Sequence, residues 1–226
     1  MGIIAASRLR AAASTLFNDS EGYYKCDGTT SGVLLDSKNS FNGIVNGGIT
    51  QGVTGKILNA VESDGSNQSY LSIPRSAFNE NNFSVSFWMY YSSTFSFNRI
   101  ILRESGGLVI NINDKFTVTY FRDNSGSLEN DSDLILDQFN QVIVEKLNDN
   151  IKIYSNNVLK LNGSKNYTNT YSGGGDLTFG IILDNAGYPL DNNSSSFIMD
   201  EIDIRKEQYT QQQRDELYNN GNGTTI

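Results

Sequence analysis

Residues 83–91, FSVSFWMYY, place Phe83, Val85, Phe87 and Met89 at one parity and Ser84, Ser86, Trp88 and Tyr90 at the other. A period of two belongs to extended chain, whose successive side chains point to opposite faces, so this stretch predicts a half-buried strand. Similar short runs follow at RIILR (99–103), GLVINI (107–112), FTVTYF (116–121), QVIVEKL (141–147), NIKIYSN (150–156), DLTFGIIL (176–183) and FIMDEIDI (197–204). Between them lie DNSGS, LNDN, SNN, SGGG and LDNAG, rich in residues that tolerate left-handed backbone or hydrogen-bond their own turns. Many short strands separated by such turns predict an all-β, two-sheet antiparallel sandwich or jelly roll.

One helix is predicted, TQQQRDELYNNG. Thr210 is its N-cap, Gln213 completes a capping box, and the helix closes near Gly221 as a short tether. The stretch 18–70 offers strand pieces at GYYKC, GKILNAVES and SYLSIP, while its Gly, Ser and Asn around 28–52 read as long surface loops. With 226 residues the chain is long enough for one main domain, expected over 18–226 after an N-terminal segment at 1–17.

That segment, MGIIAASRLRAAAS within its first fourteen positions, carries Arg8 and Arg10 and no acid, whereas the chain as a whole has a formal charge of -8. Its apolar stretch is too short for a signal peptide, and Ala6 stands where a myristoylation motif needs Ser or Thr. It is expected to be retained and to dock into a partner through Ile3, Ile4, Arg8, Leu9 and Arg10, the alternative being a frayed terminus. The acidic balance works against a phosphate backbone, so nucleic acid is not an expected partner. No apolar run approaches the ~18 residues of a bilayer helix, so no membrane insertion is expected. The chain has no histidine and one cysteine, Cys26, which removes Ser-His-Asp and Cys-His nucleophiles, His-containing metal sites and any intrachain disulfide. Carboxylate chemistry remains.

In order along the chain, the segment from GYYKC to SYLSIP, then FSVSFWMYY, QFNQVIVEKLNDNIKIYSNNVL and MDEIDIRKEQYTQQQRDELYNNG resemble the laminin-G-like jelly roll of the concanavalin A-like lectin and glucanase superfamily. The match runs over about residues 20–221 and includes the family's Gly-Lys-x-x-Asn-Ala turn at 55–60. Phe139 stands where the family has Trp, Gln141 replaces His, and Asn157 replaces the turn Gly. Asn accepts positive φ best among non-glycine residues, so the hairpin is expected to survive. The resemblance implies a sandwich presenting loops. Joined to a docking peptide, it is similar to decoration, fibre or tail proteins of bacteriophage virions, trimeric by analogy.

Alternation in FIMDEIDIR predicts Glu201, Asp203 and Arg205 on one face and Asp200, Ile202 and Ile204 on the other. Laminarinase-type glucanases, which share the superfamily fold, carry Glu, Asp and Glu at alternating positions, with two carboxyls about 5 Å apart as nucleophile and acid. Here Arg205 occupies the third position, with Glu207 beyond it on the strand or out in the turn. A cation lowers its neighbours' pKa, the wrong direction for a general acid. A structural strand is therefore expected, and no enzyme.

If Glu201 and Asp203 contact a ligand, Tyr90 and Tyr91 are the aromatic candidates for a sugar face, with Phe95 and Phe97 following and Trp88 packed. Calcium is the one cofactor considered, through Asp64 and Asn67 or through Asp184, Asn185 and Asp191. DNSGSLENDSD supplies Asp123, Asp131 and Asp133 without a fixed spacing. The expected function is a non-catalytic, lectin-like structural or binding module on a virion surface. It would attach to other assembly proteins through its N-terminus and bind a cell-surface glycan. The alternatives are a bacterial surface or secreted lectin, and a glycosidase.

Overall fold

The computed structural model describes residues 16–66, 68–77, 82–92, 102–103, 108–112, 115–120, 126–165, 176–181 and 195–225. The first strands are β1 (Gly22–Tyr24), β2 (Val33–Leu34), β3 (Gly43–Asn46), β4 (Ile49–Thr54), β5 (Asn59–Asp64) and β6 (Tyr70–Ile73). Next come β7 (Asn82–Tyr91), β8 (Leu102–Arg103), β9 (Leu108–Ile112), β10 (Lys115–Tyr120) and β11 (Leu128–Asp131). The last are β12 (Gln138–Leu147), β13 (Asn150–Ser155), β14 (Val158–Ser164), β15 (Leu177–Phe179) and β16 (Ser196–Arg205). They form two antiparallel eight-stranded sheets. The first runs β14-β13-β12-β7-β16-β5-β4, with β1 also on β16; the second runs β11-β10-β9-β8-β15-β6-β3-β2.

One apolar core lies between the sheets. Phe83, Val85, Phe87 and Met89 of β7 join Val142 and Val144 of β12, and pack with Ile110, Phe116, Val118, Leu177 and Phe179 of the second sheet. The all-β sandwich predicted from the period is present. Strand β7 is nevertheless buried on both faces: Ser84 and Ser86 are as enclosed as the residues between them, and Trp88 is 3% exposed. Something covers the outer face of the first sheet.

The expectation of long loops over 28–52 is corrected by β2, β3 and β4. β3 belongs to the second sheet and β4 to the first, so Asn46-Gly47-Gly48 carries the chain between layers. Gly47 has φ +66, and a Cβ there would lie 2.5 Å from the Gln68 carbonyl oxygen, which only glycine allows. The β12–β13 connection is the two-residue turn 148–149, and β13–β14 turns through Asn156 and Asn157 at φ 48 and 64. Two successive positive φ values mark a type I′ hairpin, so asparagine substitutes for the turn glycine as expected.

Candidate functional site: the acidic strand and its cover

Strand β16 pairs with β7 as Ile198↔Tyr90, Met199↔Met89 and Asp200↔Trp88, then resumes as Asp203↔Ser86, Ile204↔Val85 and Arg205↔Ser84. Three steps on β16 match two on β7, which is a β-bulge, and Glu201 within it sits at φ +51. The expected alternation is thereby corrected. Phe197 and Met199 before the bulge, and Ile202 and Ile204 after it, all enter the core between the sheets. Asp200, Asp203 and Arg205 share the outer face with their partners Trp88, Ser86 and Ser84. Glu201 joins them through its contacts to Tyr23 and Thr225.

Described residues from 16 onward at one side and from 209 to 225 at the other close over this face. Leu16, Tyr209 and Leu217 pack on Ile143 and Tyr154 as a second small core. The C-terminal helix, Gln211–Tyr218, starts at the predicted capping box of Thr210 and Gln213 and ends at Asn219, the first left-handed residue, two positions before Gly221. It is a lid rather than a tether. Tyr218 stacks on Trp88 with ring centres 6.0 Å apart and planes 11° apart, and the Lys56 ammonium lies 4.9 Å over the Trp88 ring. Trp88 is sandwiched and offers no platform to a sugar.

Under this cover each charged group meets protein. Asp203 Oδ2 accepts from Arg205 Nε (2.8 Å) and the Tyr209 hydroxyl (2.8 Å). Arg205 Nη2 donates to the Leu16 carbonyl at 2.7 Å, and its Nη1 lies 3.7 Å from Asp19. Glu145 Oε1 accepts from the Tyr209 amide (3.1 Å) and from Arg214 Nη1 (3.3 Å). Burial pushes the Glu145 carboxyl up, with Arg214 opposing.

Glu201 accepts from the Tyr23 hydroxyl and, at 3.1 Å, from the Thr225 hydroxyl. Burial raises its carboxyl to about 8, the Thr225 bond working against the rise. Burial also raises Asp200 to about 7, against hydrogen bonding from the Ile57 amide, which donates to its Oδ2 at 2.8 Å. That bond pins the 55–58 turn of the β4–β5 hairpin, where a Cβ on Gly55 would lie 2.6 Å from the Asn59 carbonyl and 2.7 Å from Asp200 Oδ2. The Gly-Lys-x-x-Asn-Ala sequence is thus tied to the acidic strand.

Glu201 and Asp203, 5% and 1% exposed, lie beneath the terminal segments, bound to protein groups. Glu207 lies past the end of β16, exposed, out in the turn. Tyr90 shares the outer face one row beyond Trp88, half-buried and edge-on to its cross-strand neighbour Phe139 at 5.4 Å and 72°. The neighbouring Gln141 is buried, and neither its amide oxygen nor its nitrogen has a protein partner. Asp64 Oδ1 accepts from the Ser66 amide at 2.8 Å and the Ser69 hydroxyl at 3.2 Å. Bonds from the Ser66 hydroxyl and amide hold its carboxyl below the ordinary range. Asp131 and Asp133 are exposed, Asp133 paired with Lys160. Among the described residues no three His, Cys, Asp or Glu converge as metal ligands.

The side chain of Tyr91, and Asn67, Phe95, Phe97, Asp123, Asp184, Asn185 and Asp191, lie outside the described residues, as do Ile3, Ile4, Arg8, Leu9 and Arg10. The packed body already includes Leu16, inside the segment assigned to docking. Sequence reasoning missed Tyr23, Glu145, Tyr209 and Arg214. Arg214 and Leu217, three apart on the helix, were the one local hint of a buried side; Tyr209, ahead of the N-cap, gave none.

A family model for the concanavalin A-like lectin/glucanases superfamily matches residues 64–213, well over half of the chain. The chain belongs to this superfamily. Among solved structures, this concanavalin A-like domain is similar to domain 4 of AbnA, an extracellular arabinanase of family GH43 from Geobacillus stearothermophilus, in complex with arabinotriose. The TM-score is 0.57 at 18% identity, covering 87% of this chain and 96% of that one. It is also similar to the binding domain of Paraclostridial Mosquitocidal Protein 1, with TM-score 0.64 at 13% identity over 91% and 53%. For a Trypanosoma rangeli sialidase in complex with 2,3-difluorosialic acid the values are 0.63 and 12% over 92% and 34%, so the chain spans about a third of that enzyme. At such identities the likeness is one of fold. Comparison with curated protein sequences gives no match.

Proposed function

We propose that this domain is a non-catalytic, lectin-like binding module, carried by a larger assembly such as a virion through its N-terminal segment. The observation that carries the first part is the sealed acidic face. A glycosidase needs two carboxyls facing each other across a sugar-sized opening, whereas Glu201 and Asp203 are buried against Tyr23, Thr225, Arg205 and Tyr209. Arabinotriose on the similar arabinanase domain supports a glycan as ligand here. The half-buried Tyr90 and Phe139 rings beside Gln141 are a candidate contact surface, since aromatic faces pack against the apolar face of a pyranose or furanose.

A glycan array including arabino-oligosaccharides, run beside a reducing-sugar assay on the same glycans, tests the reading. Binding without release of reducing ends is expected, and release abolished by Glu201→Gln would overturn it. Attachment rests on the basic, acid-free composition of residues 1–14 against a chain of net charge -8. Removing those residues should abolish incorporation into the assembly while far-UV circular dichroism stays that of the parent. Undiminished incorporation would refute the docking role.

A further inference from the structure

One row past Trp88, the outer face of the first sheet carries Phe139, Tyr90, Ile198, Glu62 and Thr50 side by side on β12, β7, β16, β5 and β4. These are half-buried or exposed, whereas Trp88, Asp200, Ser86 and Asp203 in the rows beneath the lid are sealed. Three apolar side chains thus lie beside one carboxylate. Two more acids stand on the next row, Asp64 opposite Ser196 and Asp137 at 3.5 Å from the Ser92 hydroxyl, and both are exposed. Neither row holds a lysine or an arginine. The covered part of the same face shows what such a surface accepts. There Arg214 of the lid sets its guanidinium 4.4 Å over the Tyr154 ring and donates to Glu145, while Leu217 packs with Ile143. A cation and an aliphatic residue on one covering segment meet an aromatic ring, a carboxylate and an aliphatic residue on the sheet. The outer row offers the same partners in Tyr90 and Phe139, Glu62 and Ile198.

The chain itself supplies a segment of that chemistry. Residues 1–14 hold Ile3, Ile4 and Leu9, with Arg8 and Arg10 on either side of Leu9 and no acid, in a chain of net charge -8. They lead into Leu16, which already packs with Ile143 on this face. Phe139 lies four residues from Ile143 along β12, roughly 14 Å, and fourteen extended residues reach about 45–50 Å. The tether therefore spans the distance with slack, and a tethered ligand acts at a millimolar effective concentration. We propose that residues 1–14 bind across Phe139, Tyr90 and Ile198 of their own domain, with Arg8 and Arg10 directed to Glu62, Asp64 and Asp137. Apolar burial holds the segment and the charges set its place. An assembly partner that captures the segment then uncovers the row; that this frees a glycan contact at Tyr90 and Phe139 rests on the function proposed above.

The test places a nitroxide on Ala5→Cys in the isotopically labelled full chain, the native Cys26 being buried, and reads paramagnetic broadening of backbone amides by NMR. The amides of Glu62, Tyr90, Phe139 and Ile198 should broaden selectively. Arg8→Glu with Arg10→Glu should reduce that broadening at least fivefold. Adding Glu62→Lys to that double variant should restore part of it, a rescue that a tail brushing past the sheet would not give. Broadening spread evenly over the surface, unchanged by the charge reversal or not recovered by Glu62→Lys would overturn the proposal. So would broadening that passes, in a mixture, from nitroxide-bearing copies to isotopically labelled copies without the nitroxide, because the segment would then bind a neighbour rather than its own domain. The glycan array and the incorporation assay judge the lectin and docking readings separately.

Discussion

Glutamate 201 should make this domain less stable as pH rises through neutrality, and Glu201→Gln should remove much of that loss. In an unfolded chain its carboxyl titrates near the ordinary 4.5; folding buries it in the β16 bulge and raises it to about 8. Between those values the folded protein holds a proton that the unfolded chain has released, so stability falls by about 1.4 kcal/mol per pH unit from this one group. The advantage is fully present below 4.5 and is lost as pH climbs to 8, a total on the order of 5 kcal/mol. Asp200, moved from 3.8 to about 7 by burial, adds a second slope of the same sign that ends one unit earlier. Glutamine can keep contact with the Tyr23 and Thr225 hydroxyls and has no proton to release. Urea unfolding at pH 5, 6, 7 and 8 measures this, followed by the fluorescence of Trp88, the chain's single tryptophan. The parent should lose stability at each step, and Glu201→Gln should flatten the slope by about 1.4 kcal/mol per unit and be the more stable protein at pH 8. Equal slopes in the two proteins, or parent stability rising with pH, would refute burial as the controlling force.

Arg205→Met should cost about 3–5 kcal/mol, because it strands the buried Asp203 carboxylate and the Leu16 carbonyl; a urea midpoint showing less than about 1 kcal/mol would mean that Tyr209 alone suffices. Gly55→Ala should lower the melting temperature by several degrees, through the clash with the Asn59 carbonyl and Asp200, and the same substitution at the open Gly32, at φ +79, should cost only the ~1 kcal/mol of left-handed backbone. Leu217→Ala should loosen the lid, costing about 2–5 kcal/mol and speeding hydrogen exchange over 209–225 before the sandwich strands respond.

The sandwich was legible because Phe83 to Phe87 alternate strictly, and the hairpins because asparagines cluster where the chain reverses. Strands β3 and β4 were hidden by their glycines and by half-exposed residues, which resemble loop composition when read locally. The lid was harder to see. Its helix is almost wholly polar, and beyond the i,i+3 hint of Arg214 and Leu217 its hold on the sheet comes from Arg214, Leu217 and Tyr218 meeting residues distant in sequence, partners that no local pattern names. The bulge did leave a trace, since apolar residues move from odd positions at Phe197 and Met199 to even ones at Ile202 and Ile204. Reading acids first, as if the strand were regular, obscured that change of parity.

The extra residue at position 201 therefore acts as a frame shift in three dimensions. Deleting it would leave Asp200 opposite Trp88 and Asp203 opposite Ser86 with Ile202 alone between them, a regular ladder in which every side chain keeps its face. Loss of this one codon should therefore remove little beyond the Glu201 contacts to Tyr23 and Thr225, whereas loss of a codon from the regular part of the strand would turn the residues beyond it over.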